Sequence, residues 1–205
     1  AQVLGGTGRI SEAETLLRSR AHALDAWSLG VLADLATRRG NVRDAERHLR
    51  KALTLEPANE AIRSALCDLL IERGAAAEAS VLLDHASASY GLLVRKARVQ
   101  SLLRDSALMR TREALLEFEN LSERRGDVLH AREQALLALY IDRNVERALA
   151  MARLNFETQR ETIDIRLLAR AALASRDRTA LAELHQWLRA TRFEDRCLSR
   201  LERWP

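Results

Sequence analysis

Histidines and carboxylates are the side chains in this chain that could carry catalytic or metal chemistry. No histidine lies three or four residues from another, and no Cys-x-x-Cys motif is present, so the spacings typical of zinc sites are absent. Carboxylate pairs such as Glu12/Glu14 and Glu117/Glu119 are two residues apart, which on a helix points them in different directions. We predict no catalytic, metal or cofactor-binding residues and no cofactor. The histidines are His22, His48, His85, His130 and His185, of which His48, beside the apolar Leu49, is expected at the surface or its rim.

The glycine-rich stretch Gly5-Gly6-Thr7-Gly8 is the feature nearest to a phosphate-binding loop. A phosphate loop follows a strand and ends in Gly-Lys-Ser or Gly-Lys-Thr, whereas here Arg9-Ile10 comes next. Gly8 also fits a turn between two helices. We therefore interpret the stretch as a turn.

Composition predicts an all-α protein. Leu, Ala, Arg and Glu dominate the 205 residues, and all four are good helix formers. The net charge is only +4, from 33 basic and 29 acidic residues, and no basic run exceeds two residues. This pattern favours a solvated, arginine-rich surface over a phosphate-binding stripe. No apolar stretch is long enough to span a bilayer.

A repeat of 34 residues organises the first half of the chain. Gly40 and Gly74 suit left-handed turns at helix ends, and alanines at matched positions let two helices approach closely. Upstream, Ser11 and Glu14 have the spacing of a capping box. We expect Cys67 and Cys197 not to form a disulfide, because distant units of a repeat array do not touch. The pairs 34 apart are Gly40/Gly74, Ala45/Ala79, Leu49/Leu83, Ala52/Ala86 and Pro57/Gly91.

This spacing resembles the tetratricopeptide repeat, which implies an all-α, right-handed superhelix of helix pairs. Four sections are predicted: a partial unit at 1–25, two well-matched units at 26–93, divergent pairs at 94–191, and a capping helix and tail at 192–205. In the divergent part we predict helices at 106–124, 127–141, 162–175 and 178–190, with Asn144 capping another. Residues 155–161 also resemble the C-terminal half of bacterial tetratricopeptide proteins that often begin with a secretion signal.

The resemblance implies a protein-interaction scaffold whose partner-binding groove is lined by the first helix of each pair. The family's lysine and asparagine carboxylate clamp is absent, since Asp34 and Asp68 stand where it would have asparagines. A mixed groove, acidic early and basic later, would suit a segment of mixed charge. The groove positions are Trp27, Asp34, Thr37, Arg38, Ser64, Asp68, Ile71, Glu72, Arg95, Arg98, Arg166 and Arg170.

The predicted function is therefore that of a non-enzymatic scaffold that binds a protein or peptide. Two alternatives stay open: a helical-repeat nucleic-acid binder, and a regulatory region of an enzyme. We expect a longer parent protein, periplasmic if its N-terminus carries a secretion signal and otherwise cytoplasmic. The sequence does not identify the partner.

Overall fold

The computed structural model describes residues 9–20, 24–84, 89–125 and 131–198, without the side chains of Arg18 and Arg20. Within these ranges the chain is all α-helical, with no strand, as predicted. The helices are α1 (Ile10–Arg20), α2 (Ala26–Arg38), α3 (Val42–Leu55), α4 (Glu60–Glu72), α5 (Ala76–Asp84), α6 (Tyr90–Leu103), α7 (Leu108–Arg125), α8 (Ala131–Leu137), α9 (Val145–Thr158), α10 (Thr162–Ser175) and α11 (Arg178–Thr191).

Helix ends follow the predicted turn chemistry in the regular half and depart from it later. Gly40 and Gly74 have φ of 77° and 82°, as their predicted role requires. In the second half arginines take the same left-handed position, at Arg104, Arg143 and Arg176, with φ of 55° to 56°. A side chain in this conformation is strained, so helix packing must hold these turns in place of glycine.

Most of the helices predicted in the divergent half are found. The long α7 and the pair α10 and α11 lie within a few residues of their predicted bounds, and the Asn144 side chain accepts a hydrogen bond from the Arg147 backbone N–H at the start of α9. The sequence pattern did not predict that α8 continues as a π-helical turn over Ala138–Asp142. Such turns are rare and often occur at functional sites.

Two local predictions in the first half are wrong. Ser11 is not a cap, because α1 begins one residue earlier, and its hydroxyl accepts a hydrogen bond from Arg39 at 2.6 Å. Glu14 pairs with the same arginine at 2.7 Å. His48, expected at the surface, is buried beside Leu49 on α3. Gly8, His22, His85 and His130 lie outside the described residues.

The chain forms two compact units, one of residues up to Leu66 together with those from Arg178 onward, the other Cys67–Asp177. In the first unit α2 packs along α3, and α1 adds Ile10, Ala13 and Leu17 to a core with Leu32 and Leu35. In the second unit consecutive helices from α5 to α10 pack in sequence, apart from α7 and α8, for which no such contact is described. The first helices of its pairs, α6, α8 and α10, are also neighbours.

The segment after α11 packs on the end of α2 in the first unit. The Arg38 guanidinium stacks over Phe193 at 3.9 Å and donates to the Glu194 carbonyl at 2.8 Å, while the Arg196 backbone N–H donates to the Arg38 carbonyl. Elements 156 residues apart thus touch, which corrects the premise that distant repeat units do not meet. Residues 193–197 are not helical, and most of the predicted capping helix lies outside the described ranges.

Replacing Ala45 with leucine should overpack the contact between α2 and α3. Ala45 is fully buried on the face of α3 that carries Leu49 and Ala52, so added methyl groups must displace α2. We expect a loss of about 1–3 kcal/mol in the free energy of unfolding, measured by urea denaturation. Ala65→Leu, the same change at an exposed helical alanine, is the control; an equal effect of both would contradict the predicted packing.

Candidate functional site

Arg95 on α6 is the most deeply buried arginine of the second unit. It donates to Asp68 Oδ2 at 3.0 and 2.8 Å, to the Gly91 carbonyl at 3.0 Å and to Glu133 Oε1 at 3.4 Å. Burial alone would lower the pKa of Arg95, but the carboxylates of Asp68 and Glu133 outweigh it and raise that pKa. The side chain therefore joins α4, α6 and α8 as a permanently charged, hydrogen-bonded group.

Arg98, one turn along α6, is held mainly by stacking. Its guanidinium carbon lies 3.9 Å from the centre of the Tyr140 ring, and its Nη1 lies 3.7 Å from Asp68 Oδ1. Tyr140 belongs to the π-helical turn at the end of α8. The Arg98 side chain is 11% exposed, so this cation–π contact is largely shielded from water and correspondingly strengthened.

Two arginines of α10 reach the end of α4. Arg170 pairs with Glu72 Oε1 at 2.7 Å and donates to the Tyr140 hydroxyl at 3.3 Å, and Arg166 lies 3.4 Å from Glu72 Oε2. Tyr140 and Glu72 raise the pKa of Arg170, outweighing burial. The contacts of Arg95, Arg98, Arg166 and Arg170 thus form one connected set, which we call the charged cluster. Its other members are Asp68, Glu72, Glu133 and Tyr140.

A separate ionic group fixes the start of α10. Arg132 on α8 donates to both oxygens of Asp164 at 2.6 and 2.9 Å, and the Asn155 amide donates to the same carboxylate at 2.7 Å. Asp164 also closes a capping box with Glu161. This arrangement sets the position of α10, and with it that of Arg166 and Arg170.

The structure brings six of the twelve predicted groove residues into the charged cluster. Ile71 is buried on α4, between Asp68 and Glu72 in sequence. In the first unit Trp27 is 58% exposed, Asp34, Thr37 and Ser64 are half-buried, and Arg38 is buried against Phe193. Whether these residues bind a partner stays a prediction. The six are Asp68, Glu72, Arg95, Arg98, Arg166 and Arg170.

Sequence reasoning missed Glu133 and Tyr140. No sequence pattern marked them, and the π-helical turn shifts Tyr140 relative to its position on a regular helix. The sequence offered one usable signal. A helix with Arg95 and Arg98 on its inner face needs buried hydrogen-bond acceptors from the helices packed against it.

The remaining reactive groups of the described residues show no assembled catalytic site. Both cysteines are free; burial and the neighbouring Asp68 raise the pKa of Cys67 to about 12, so its thiol stays protonated at neutral pH. No group of three metal-ligating side chains is found within the described ranges. In those same ranges no helix combines the length and apolarity that crossing a membrane requires.

These features define a helical-repeat protein of the class whose members bind other proteins. Residues 36–105 match the tetratricopeptide repeat family model. The match covers α3 to α6 and includes Asp68, Glu72, Arg95 and Arg98, so the repeat carries half of the charged cluster. A comparison with curated proteins finds no match.

Replacing Arg95 with methionine should strand the buried carboxylate of Asp68. Asp68 and Arg95 have side chains 11% and 3% exposed, and breaking such a pair costs about 3–5 kcal/mol. Urea denaturation followed by circular dichroism measures the loss. Arg47→Met removes an exposed partner of Asp44 and should cost less than about 1 kcal/mol. Equal losses in the two variants would contradict the role assigned to Arg95.

Proposed function

We propose that this chain is a scaffold that binds a protein or peptide partner on the faces of its first helices. The observation that supports the proposal is the charged cluster, in which six groove positions implied by the tetratricopeptide pattern belong to one connected set of contacts in the second unit. Charged residues without a shared role would not be expected to lie in one connected set of contacts. Glu72 and Arg170 keep 28% and 36% of their side chains exposed, so a partner can reach their polar atoms.

The first unit would contribute an aromatic contact to this scaffold. Trp27 lies on the first turn of α2 and is 58% exposed, which is uncommon for so large an apolar side chain. Tryptophan is enriched among the residues that dominate binding energy at protein interfaces. Asp34, Thr37 and Ser64 are proposed as its polar companions, whereas Arg38 serves the packing of Phe193 and Glu194.

The ion pairs of the described residues also fit a scaffold better than an enzyme. Arg95 donates twice to one oxygen of Asp68, and Arg132 donates to both oxygens of Asp164, so these ion pairs stabilise the packing of helices. The division into sections at 25, 93 and 191 and the likeness of residues 155–161 to bacterial proteins remain predictions.

Site-specific photocross-linking in the native host tests the proposal. We would place p-benzoylphenylalanine at Leu102, on a first helix, and at Leu154, an equally exposed leucine on the second helix α9. Trp27 and Leu55 form the matching pair in the first unit. We expect a discrete protein adduct from positions 102 and 27 and none from 154 and 55. Adducts from the second-helix positions alone, or none anywhere, would contradict the proposed binding face.

A further inference from the structure

Arg98 makes no hydrogen bond to any described residue, although its side chain is largely buried. Its contacts there are the Tyr140 ring and the Asp68 oxygen at 3.7 Å, beyond ordinary hydrogen-bond length. Arginine has five N–H donors in a planar fork, and those of Arg98 have no protein acceptor within the described residues. Neighbouring Arg95, by contrast, donates to Asp68, Gly91 and Glu133. Arg98 therefore has donor capacity that the packing does not use.

Tyr140 joins Arg98 to a second, more exposed arginine. Its ring lies beneath the Arg98 guanidinium, and its hydroxyl accepts a hydrogen bond from Arg170 Nη1. The π-helical turn that carries Tyr140 creates this arrangement. Two guanidinium groups therefore contact one tyrosine, and the guanidinium fork matches the two oxygens of a carboxylate.

The side chain of Glu72 shows that the arginines of α10 accept a carboxylate. Its carboxylate pairs with Arg170 at 2.7 Å and Arg166 at 3.4 Å, and it comes from the last turn of α4. Glu72 and Arg170 keep 28% and 36% of their side chains exposed, so water partly screens their ion pair. An incoming carboxylate that also engaged Arg98 would therefore compete well with Glu72 for Arg170.

We propose that Arg98 and Arg170 bind a carboxylate of an acidic segment of the partner protein, which displaces Glu72 from Arg170. The inference rests on the proposed scaffold function and adds to it the chemistry of the partner. Arg170 is the point of entry, since 36% of its side chain is exposed against 11% for Arg98. The incoming carboxylate replaces one that is already present, that of Glu72.

Fluorescence anisotropy with fluorescein-labelled hexaglutamate at low salt tests this inference on the full chain. Glu72→Gln should tighten binding about threefold or more by removing the competitor, and Arg170→Gln and Arg98→Gln should each weaken it about tenfold by removing a charge-assisted contact. Controls with the same charge changes are Glu113→Gln and Arg110→Gln, at exposed positions on α7, where we expect little change. Circular dichroism confirms folding, and Arg98→Lys replaces Arg98→Gln if the latter unfolds.

Several results would overturn the inference. The first is that hexaglutamate does not bind. The second is that the control changes on α7 alter its affinity as much as the changes at Arg98, Arg170 and Glu72 do. The third is that Glu72→Gln does not bind it more tightly than the unchanged chain. Tighter binding of an oligothymidylate of the same length, with the same dependence on Arg98 and Arg170, would assign the site to nucleic acid instead. If hexaglutamate fails while position 102 still cross-links a protein, the scaffold proposal stands and only the acidic partner is excluded.

Discussion

The ion pair between Arg95 and Asp68 is the interaction on which the second unit depends. Transferring a guanidinium and a carboxylate from water into a helix interface costs several kcal/mol for each ion, and only close, well-aligned contacts recover that cost. Arg95 achieves them by drawing on α4, α6 and α8 together. The three helices must keep their relative positions, because a shift of either neighbour would leave a buried charge without its partner.

The rest of the charged cluster extends from this fixed pair. Arg98 lies three residues after Arg95, about one turn of α6, and stacks on the Tyr140 ring. The capping contacts of Asp164 fix the start of α10, and Arg170 on that helix donates to the Tyr140 hydroxyl. Buried pairs thus set the geometry, and the more exposed Arg170 and Glu72 are left to exchange partners. A scaffold of this design would combine a rigid framework with a small, adaptable contact surface.

Helix positions and the repeat could be predicted because they depend on local signals. Gly40 and Gly74 mark turns through their conformational freedom, and Ala45 and Ala79 mark the close approach of helices through their size. The tetratricopeptide pattern also indicated a shared face for the charged groove positions, while their binding of a partner stays a prediction. The pairing of those charges with one another could not be predicted, because it depends on contacts between residues up to 98 positions apart, as in the pair of Arg170 and Glu72.

Other features escaped sequence reasoning for equally physical reasons. Arginine at Arg104, Arg143 and Arg176 conceals the turns, since nothing in that side chain signals a left-handed backbone. The packing of Phe193 on Arg38 joins distant parts of the chain, and His48 is buried although its neighbours suggested a surface site. In each case tertiary packing overrides the local preference.

A double-mutant cycle on Arg95 and Asp68 tests the central claim most directly. The free energy of unfolding would be measured for Arg95→Met, Asp68→Leu and the double variant. We predict that the double variant loses less stability than the two single losses added together, with a coupling of about 2 kcal/mol or more, because each single change strands a buried charge. Additive losses, with a coupling below about 0.5 kcal/mol as for exposed pairs, would contradict it.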